Sequence, residues 1–203
     1  MLRYAGVVVL MLALAAVARA PWPAPRQAAH LAVAGIGIQA GYLGGVWTAV
    51  AAGMPAAVAA LVVNLQPVLT AVAAGVLGER LSRLQVAGLL LGFAGVALVV
   101  SNRLTTEGLS ALTLGLTLMA LVAITAGTLY QKRFCPDFDL RTGQVVQFAA
   151  SIAVTLPFAV GLDAFRFDWT PELVGALVWS VLVLTGGGIS LLFLMLRRGA
   201  ATR

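Results

Sequence analysis

The chain reads as an all-α membrane protein, a polytopic helical bundle of about seven transmembrane helices. Three observations carry that expectation. Hydrophobic residues make up 61% of its 203 residues and charged residues only 10%, with a mean hydropathy of +1.01. So little charge cannot cover the surface of a water-soluble domain. The apolar residues fall into seven runs, most of them near the roughly 20 residues with which an α-helix crosses about 30 Å of hydrocarbon. None of the runs alternates with period two, as the strands of a membrane barrel do.

In chain order the runs are 2–18, 28–52, 56–77, 85–101, 111–130, 143–162 and 173–196. The first and fourth are short and suit a thinner or locally compressed bilayer. Helix breakers and charges collect in the gaps: Pro21, Pro23 and Pro25, then Gly53 and Pro55, then 78–83, 102–108, 132–141 and 163–172.

Alternate gaps differ in charge. Arg19, Arg26, Arg80, Arg83, Lys132, Arg133, Arg141, Arg197, Arg198 and Arg203 fall on one side, ten in all, against Arg3, Arg103 and Arg166 on the other. Cytoplasmic loops carry the excess of Arg and Lys. The N-terminus is therefore expected outside and the C-terminus in the cytoplasm of a bacterial inner membrane. Reading 1–20 as a signal peptide would invert every loop and place Pro21 just after the cleavage site. The net charge of +6 and pI near 10.7 do not indicate nucleic acid, because the basic residues form no patch. The single cysteine, Cys135, excludes an intrachain disulfide.

Polar residues inside apolar runs are costly unless they face a bundle interior or a cavity. Within 28–52, Gln39 and Tyr42 share a face, and Trp47 is either a cavity wall or an interfacial anchor. Within 56–77, Asn64 and Pro67 share one face and Gln66 and Thr70 a neighbouring one. Pro67 frees the carbonyl of residue 63 near midspan, for a ligand or a bend; interhelical hydrogen bonding is the plainer alternative. Gln144, Gln147, Ser151 and Thr155 form a stripe down one face of 143–162, expected to line a cavity. Thr117, Thr125 and Thr128 are less aligned, and threonine hydroxyls often bond their own helix. Gly88, Gly92 and Gly95 suit close helix packing inside the bundle or across a homodimer. Glu79 with Arg83 at i,i+4 is either an inner-gate ion pair or a solvated helix end.

The remaining chemistry is sparse. His30, the only histidine, has no acid or thiol at ligand spacing, so no metal site is expected, and no cofactor is implied. No nucleophile–base set and no midspan carboxylate pair occurs, so the chain is not expected to be an enzyme. Arg3-Tyr-Ala at the start of one run and Arg141-Thr-Gly before another, with Gly53-Met-Pro and Gly199-Ala-Ala after the next runs, suggest one helix pair used twice. The two copies lie five segments apart and so run in opposite directions, as in secondary transporters.

The residues Gln66-Pro67-Val68, Leu77-Gly-Glu79-Arg80-Leu81 and Gln85-Val-Ala-Gly88, continuing to Gly92-Phe-Ala-Gly95-Val, carry a resemblance. They resemble the EamA-like domain of the drug/metabolite transporter superfamily. That resemblance implies a carrier of two inverted five-helix repeats. On this pattern 1–104 corresponds to a first repeat lacking its first helix, and 105–203 to a second lacking its last two. It also implies a small-molecule substrate, an amino acid, metabolite or drug-like compound, moved outward by alternating access, with membrane lipid as the surrounding partner. The alternative is a shortened or non-transporting membrane protein with a structural part or none.

Overall fold

Each apolar run is helical over its described part in the computed structural model, which describes residues 1–76, 83–103, 109–161 and 169–188. Among the described residues there is no strand. Apolar runs of this length fold as helices because hydrocarbon offers the backbone no partner but itself.

Helix α1 is Leu2–Val17. It ends where Arg19 turns left-handed (φ 48°), with the amides of Ala18 and Ala20 closed on the carbonyls of Leu14 and Ala15. Helix α2 is Pro25–Ala51. It opens on a proline in its first turn, where the missing N–H costs nothing. It carries a π-helical segment, Ile36–Gly41, near its middle. It closes at Gly53, whose φ of 101° lets the Met54 amide return to the Ala49 carbonyl at 3.0 Å.

Helix α3 (Ala56–Val63) and helix α4 (Gln66–Val76) are one apolar run broken at Asn64–Leu65. Pro67 sits in the first turn of α4, so the break falls just upstream of the ring, where the proline denies a hydrogen bond. Helix α5 is Arg83–Arg103 and helix α6 is Ala111–Phe134. Ser110 starts α6: its hydroxyl accepts from the Thr113 amide at 3.2 Å, and Thr113 Oγ1 accepts from the Ser110 amide at 3.0 Å. Helix α7 is Leu140–Gly161, begun by Asp139 accepting from the Arg141 amide at 2.9 Å. Helix α8 is Pro171–Gly187, capped by Thr170 and π-helical over Trp179–Gly187.

Four runs are long and apolar enough to cross a bilayer: α2, Ala56–Ala73, α6 and α7. Helices α1 and α8, and a stretch of α5, are apolar but shorter. The residues pack as two compact units, Met1–Ile36 with Phe134–Arg203, and Gly37–Arg133. These units describe contact, whereas the halves 1–104 and 105–203 describe a duplication; α2 itself passes from one unit into the other.

In the first unit, α1 and the start of α2 pack on α7. Val7, Met11, Leu31 and Ala34 are sealed from solvent, and Tyr4 meets Phe148 edge-on at 5.6 Å. In the second, Ala49, Met54, Val58 and Ala59 make a core backed by Val46, Val50, Leu109 and Leu116. One expectation is corrected here. Gly88, Gly92 and Gly95 do not mark close packing inside the bundle, since a Cβ at any of them would meet nothing within 4 Å. Among the described residues no neighbour lies over that face of α5.

Candidate functional site

A cleft of about 210 Å³ lies between the second half of α2 and helix α3. Tyr42, Val46 and Val50 line one wall at i, i+4 and i+8, with Trp47 beside them. Ala56, Ala60, Val63 and Asn64 line the other at helical spacing. Small residues on α3 open the cleft, and the tight Gly53 turn brings the two helices together. The break after Val63 leaves Asn64 exposed as the residue that caps α3, in a right-handed conformation (φ −63°, ψ −4°). Pro67 enforces that break, so it acts on the site through the backbone.

The chemistry of the cleft is amphipathic and neutral. Its walls are aliphatic except for the Tyr42 hydroxyl, the Trp47 indole and the Asn64 amide. Trp47 is 63% exposed, so its ring is available to a ligand face. An amide offers both donor and acceptor, and aromatic rings offer a flat apolar surface. The volume lies below that of drug-sized pockets, about 300–1,000 Å³, and suits a small molecule.

Of the residues singled out in the sequence, Tyr42, Trp47 and Asn64 come together here. Gln39 is half-buried within the π segment. Gln66 Nε2 donates to Thr128 Oγ1 at 3.3 Å, tying α4 to α6. Pro67 is exposed. Thr125 is buried and donates to its own helix at the Leu121 carbonyl, 2.7 Å away. Thr117 and Thr128 bond their own helix in the same way.

The stripe on α7 lies in the first unit, and none of its residues lines this cleft. Gln147 is 2% exposed and Ser151 fully buried. Ser151 Oγ shares its one proton between the Gly35 carbonyl at 3.0 Å and the Gln147 carbonyl at 2.8 Å. Gly35 has room for no side chain, since its Cβ would fall 2.5 Å from Gln147 Cα. The Gln144 Oε1 atom is buried with no hydrogen-bond partner among the described residues. Glu79 lies outside the described residues; Arg83 begins α5, and its side chain lies outside them too.

The aliphatic walls Val46, Val50, Ala56, Ala60 and Val63 gave no chemical signal in the sequence. Only the i+4 and i+8 spacing from Tyr42 could have found the first two. At one end of the first unit, Gln27 Nε2 donates to the Asp137 carbonyl at 2.6 Å, and Thr142 Oγ1 to the Pro21 carbonyl at 2.9 Å. Cys135 is buried between these ties, and burial pushes its thiol above the usual cysteine range.

An all-helical chain with apolar helices of this length is a multi-pass membrane protein. Residues 1–101, about half of the chain, match the EamA-like transporter family and belong to it. They include the whole cleft. No curated protein and no solved structure matched the chain.

Proposed function

We propose that the protein is a secondary transporter of small neutral or amphipathic metabolites, working by alternating access in a bacterial inner membrane and moving its substrate outward. The observation that carries this reading is the cleft. Tyr42, Trp47 and Asn64 converge on one apolar groove within the residues that match a transporter family. The charge asymmetry of the loops supports an outside N-terminus and a cytoplasmic C-terminus.

A duplicated, inverted organisation of the halves 1–104 and 105–203 accords with two further features. Helices α2 and α8 each open on a proline, Pro25 and Pro171. Each carries a π segment ending on a glycine sixteen residues later, Gly41 and Gly187 (41 − 25 = 187 − 171).

The test is uptake and counterflow of a panel of radiolabelled amino acids by the full-length carrier, with all ten helices of the two repeats, in liposomes. Saturable transport of at least one compound is expected, weakened about tenfold by Trp47→Ala, the scale of one good aromatic contact. Stable, folded protein with no saturable flux for any compound contradicts the reading. Flux indifferent to Trp47→Ala and Asn64→Ala would move the site elsewhere.

A further inference from the structure

The π segment in α2 sits where three independent features meet. The division between the two compact units falls between Ile36 and Gly37, at its first residues. The helix before it is held by α7, through Ser151 Oγ on the Gly35 carbonyl and the backbone contact of Gly35 with Gln147. The helix after it carries Tyr42, Trp47 and the wall of the cleft. A π turn closes its hydrogen bonds one residue later than an α turn, and so stores one residue of helix. Relaxing it to α geometry would turn the rest of α2 by about 100° and advance it by about 1.5 Å.

We propose that α2 has two packing registers, exchanged by relaxation of the Ile36–Gly41 π turn, and that the exchange relines the cleft. In the π register Tyr42, Val46 and Val50 face it. In the α register each azimuth passes to the preceding residue, so Gly41, Gly45 and Ala49 face it instead. The cleft then widens as Tyr42 leaves.

The sequence of α2 accommodates both arrangements. Gly45 now packs so closely on α6 that a Cβ would lie 2.9 Å from the Leu116 carbonyl oxygen and 3.0 Å from Ala120 Cβ. Only glycine fits there. The residue that replaces it after the turn is Gly44, which now has nothing within 4 Å of its Cβ position. In the π register a side chain at 44 would meet open space; in the α register glycine is required there. Thr48 would follow into the Ala49 position. Its hydroxyl already donates to the Gly44 carbonyl at 2.7 Å, so the turn buries no unsatisfied donor, and its extra volume is the largest steric cost. Ser151 holds the π register, since its hydroxyl occupies a lone pair of the carbonyl that immediately precedes the π turn. The use of this exchange in alternating access rests on the transport reading; the exchange itself does not.

Ala49 is fully buried now and faces the cleft after the turn, so it reports the exchange without any substrate. In full-length protein in membranes, with Cys135→Ser removing the native thiol, Ala49→Cys is reacted with a small polar methanethiosulfonate. Gly44→Ala, harmless in the π register, should slow that labelling about fivefold or more. Ser151→Ala should speed it about fivefold, the population change one hydrogen bond confers. Trp47→Cys, exposed in the structure, and Met11→Cys, buried in the first unit, serve as references whose rates stay unchanged. Equal Ala49→Cys rates in all three backgrounds overturn the proposal. So does a rise at Met11→Cys that matches the rise at Ala49→Cys, which would mean general loosening. Transport can fail entirely while this result stands, so the two readings are separable.

Discussion

Two helices carry polar or aromatic residues within apolar runs, and the structure uses them in opposite ways. On α7, Gln147 and Ser151 are buried, and Ser151 ties the helix to Gly35 of α2. On the second half of α2, Tyr42 and Trp47 stand at an open cleft with Asn64 across it. A polar stripe in an apolar helix thus has two physical solutions: a close-approaching backbone that accepts its hydrogen bonds, or a cavity that hydrates it. The glycine opposite the stripe decides. Gly35 brings its carbonyl within reach of Ser151, whereas Trp47 stands mostly exposed at the cleft.

That difference can be broken most forcefully at the contact itself. Gly35→Ala places a Cβ against the Gln147 backbone, and backbone cannot step aside. Thermal unfolding in detergent should show a loss of about 3 kcal/mol or more, the upper end of overpacking costs. Gly92→Ala, with open space around it, should lie within about 0.5 kcal/mol of the parent. Equal losses would mean that the close approach on α7 is not what holds the first unit.

Ser151→Ala should come next, at about 1 kcal/mol, because it removes a buried interhelical hydrogen bond. Trp47→Ala should leave thermal stability nearly unchanged, since its ring is mostly exposed, while lowering transport. The reverse ranking would exchange the parts assigned to the two helices. Gln66→Leu is expected to cost about 0.6 kcal/mol, the average for an interhelical hydrogen bond in membranes. Its loss affects only the α4–α6 contact.

The smallest effect concerns Cys135. Burial raises its thiol pKa, so less thiolate is present at neutral pH than for a free cysteine. Maleimide labelling in opened membranes should be slow near pH 7 and keep rising beyond the ordinary cysteine range. The orientation proposed here also requires no labelling from outside intact cells. A flat pH profile would contradict the burial, and labelling of intact cells would contradict the orientation.

Much of the architecture was legible from hydropathy, because length and apolarity fix a helix wherever no water competes. The breaks at Pro21–Pro25, Gly53 and Pro67 were legible too, for each has a backbone cause. The π segments were not. No residue type requires an i+5 bond, so residues 36–41 carry no local signal for one. The site was legible only in part. Tyr42, Trp47 and Asn64 stood out as polar or aromatic groups in apolar runs, but so did Gln147 and Ser151. What separates them is the glycine at 35, distant in sequence and visible only when the helices meet.

The central claim is that the cleft on α2 and α3 meets the substrate while the α7 stripe holds helices together. Single cysteines at Tyr42, Trp47, Asn64, Gln147 and Ser151, in a Cys135→Ser background, test it directly with a small polar thiol reagent in membranes. The account expects rapid reaction at the first three positions and protection at Gln147 and Ser151. Rapid reaction at Gln147 and Ser151, with Tyr42, Trp47 and Asn64 protected, would contradict it.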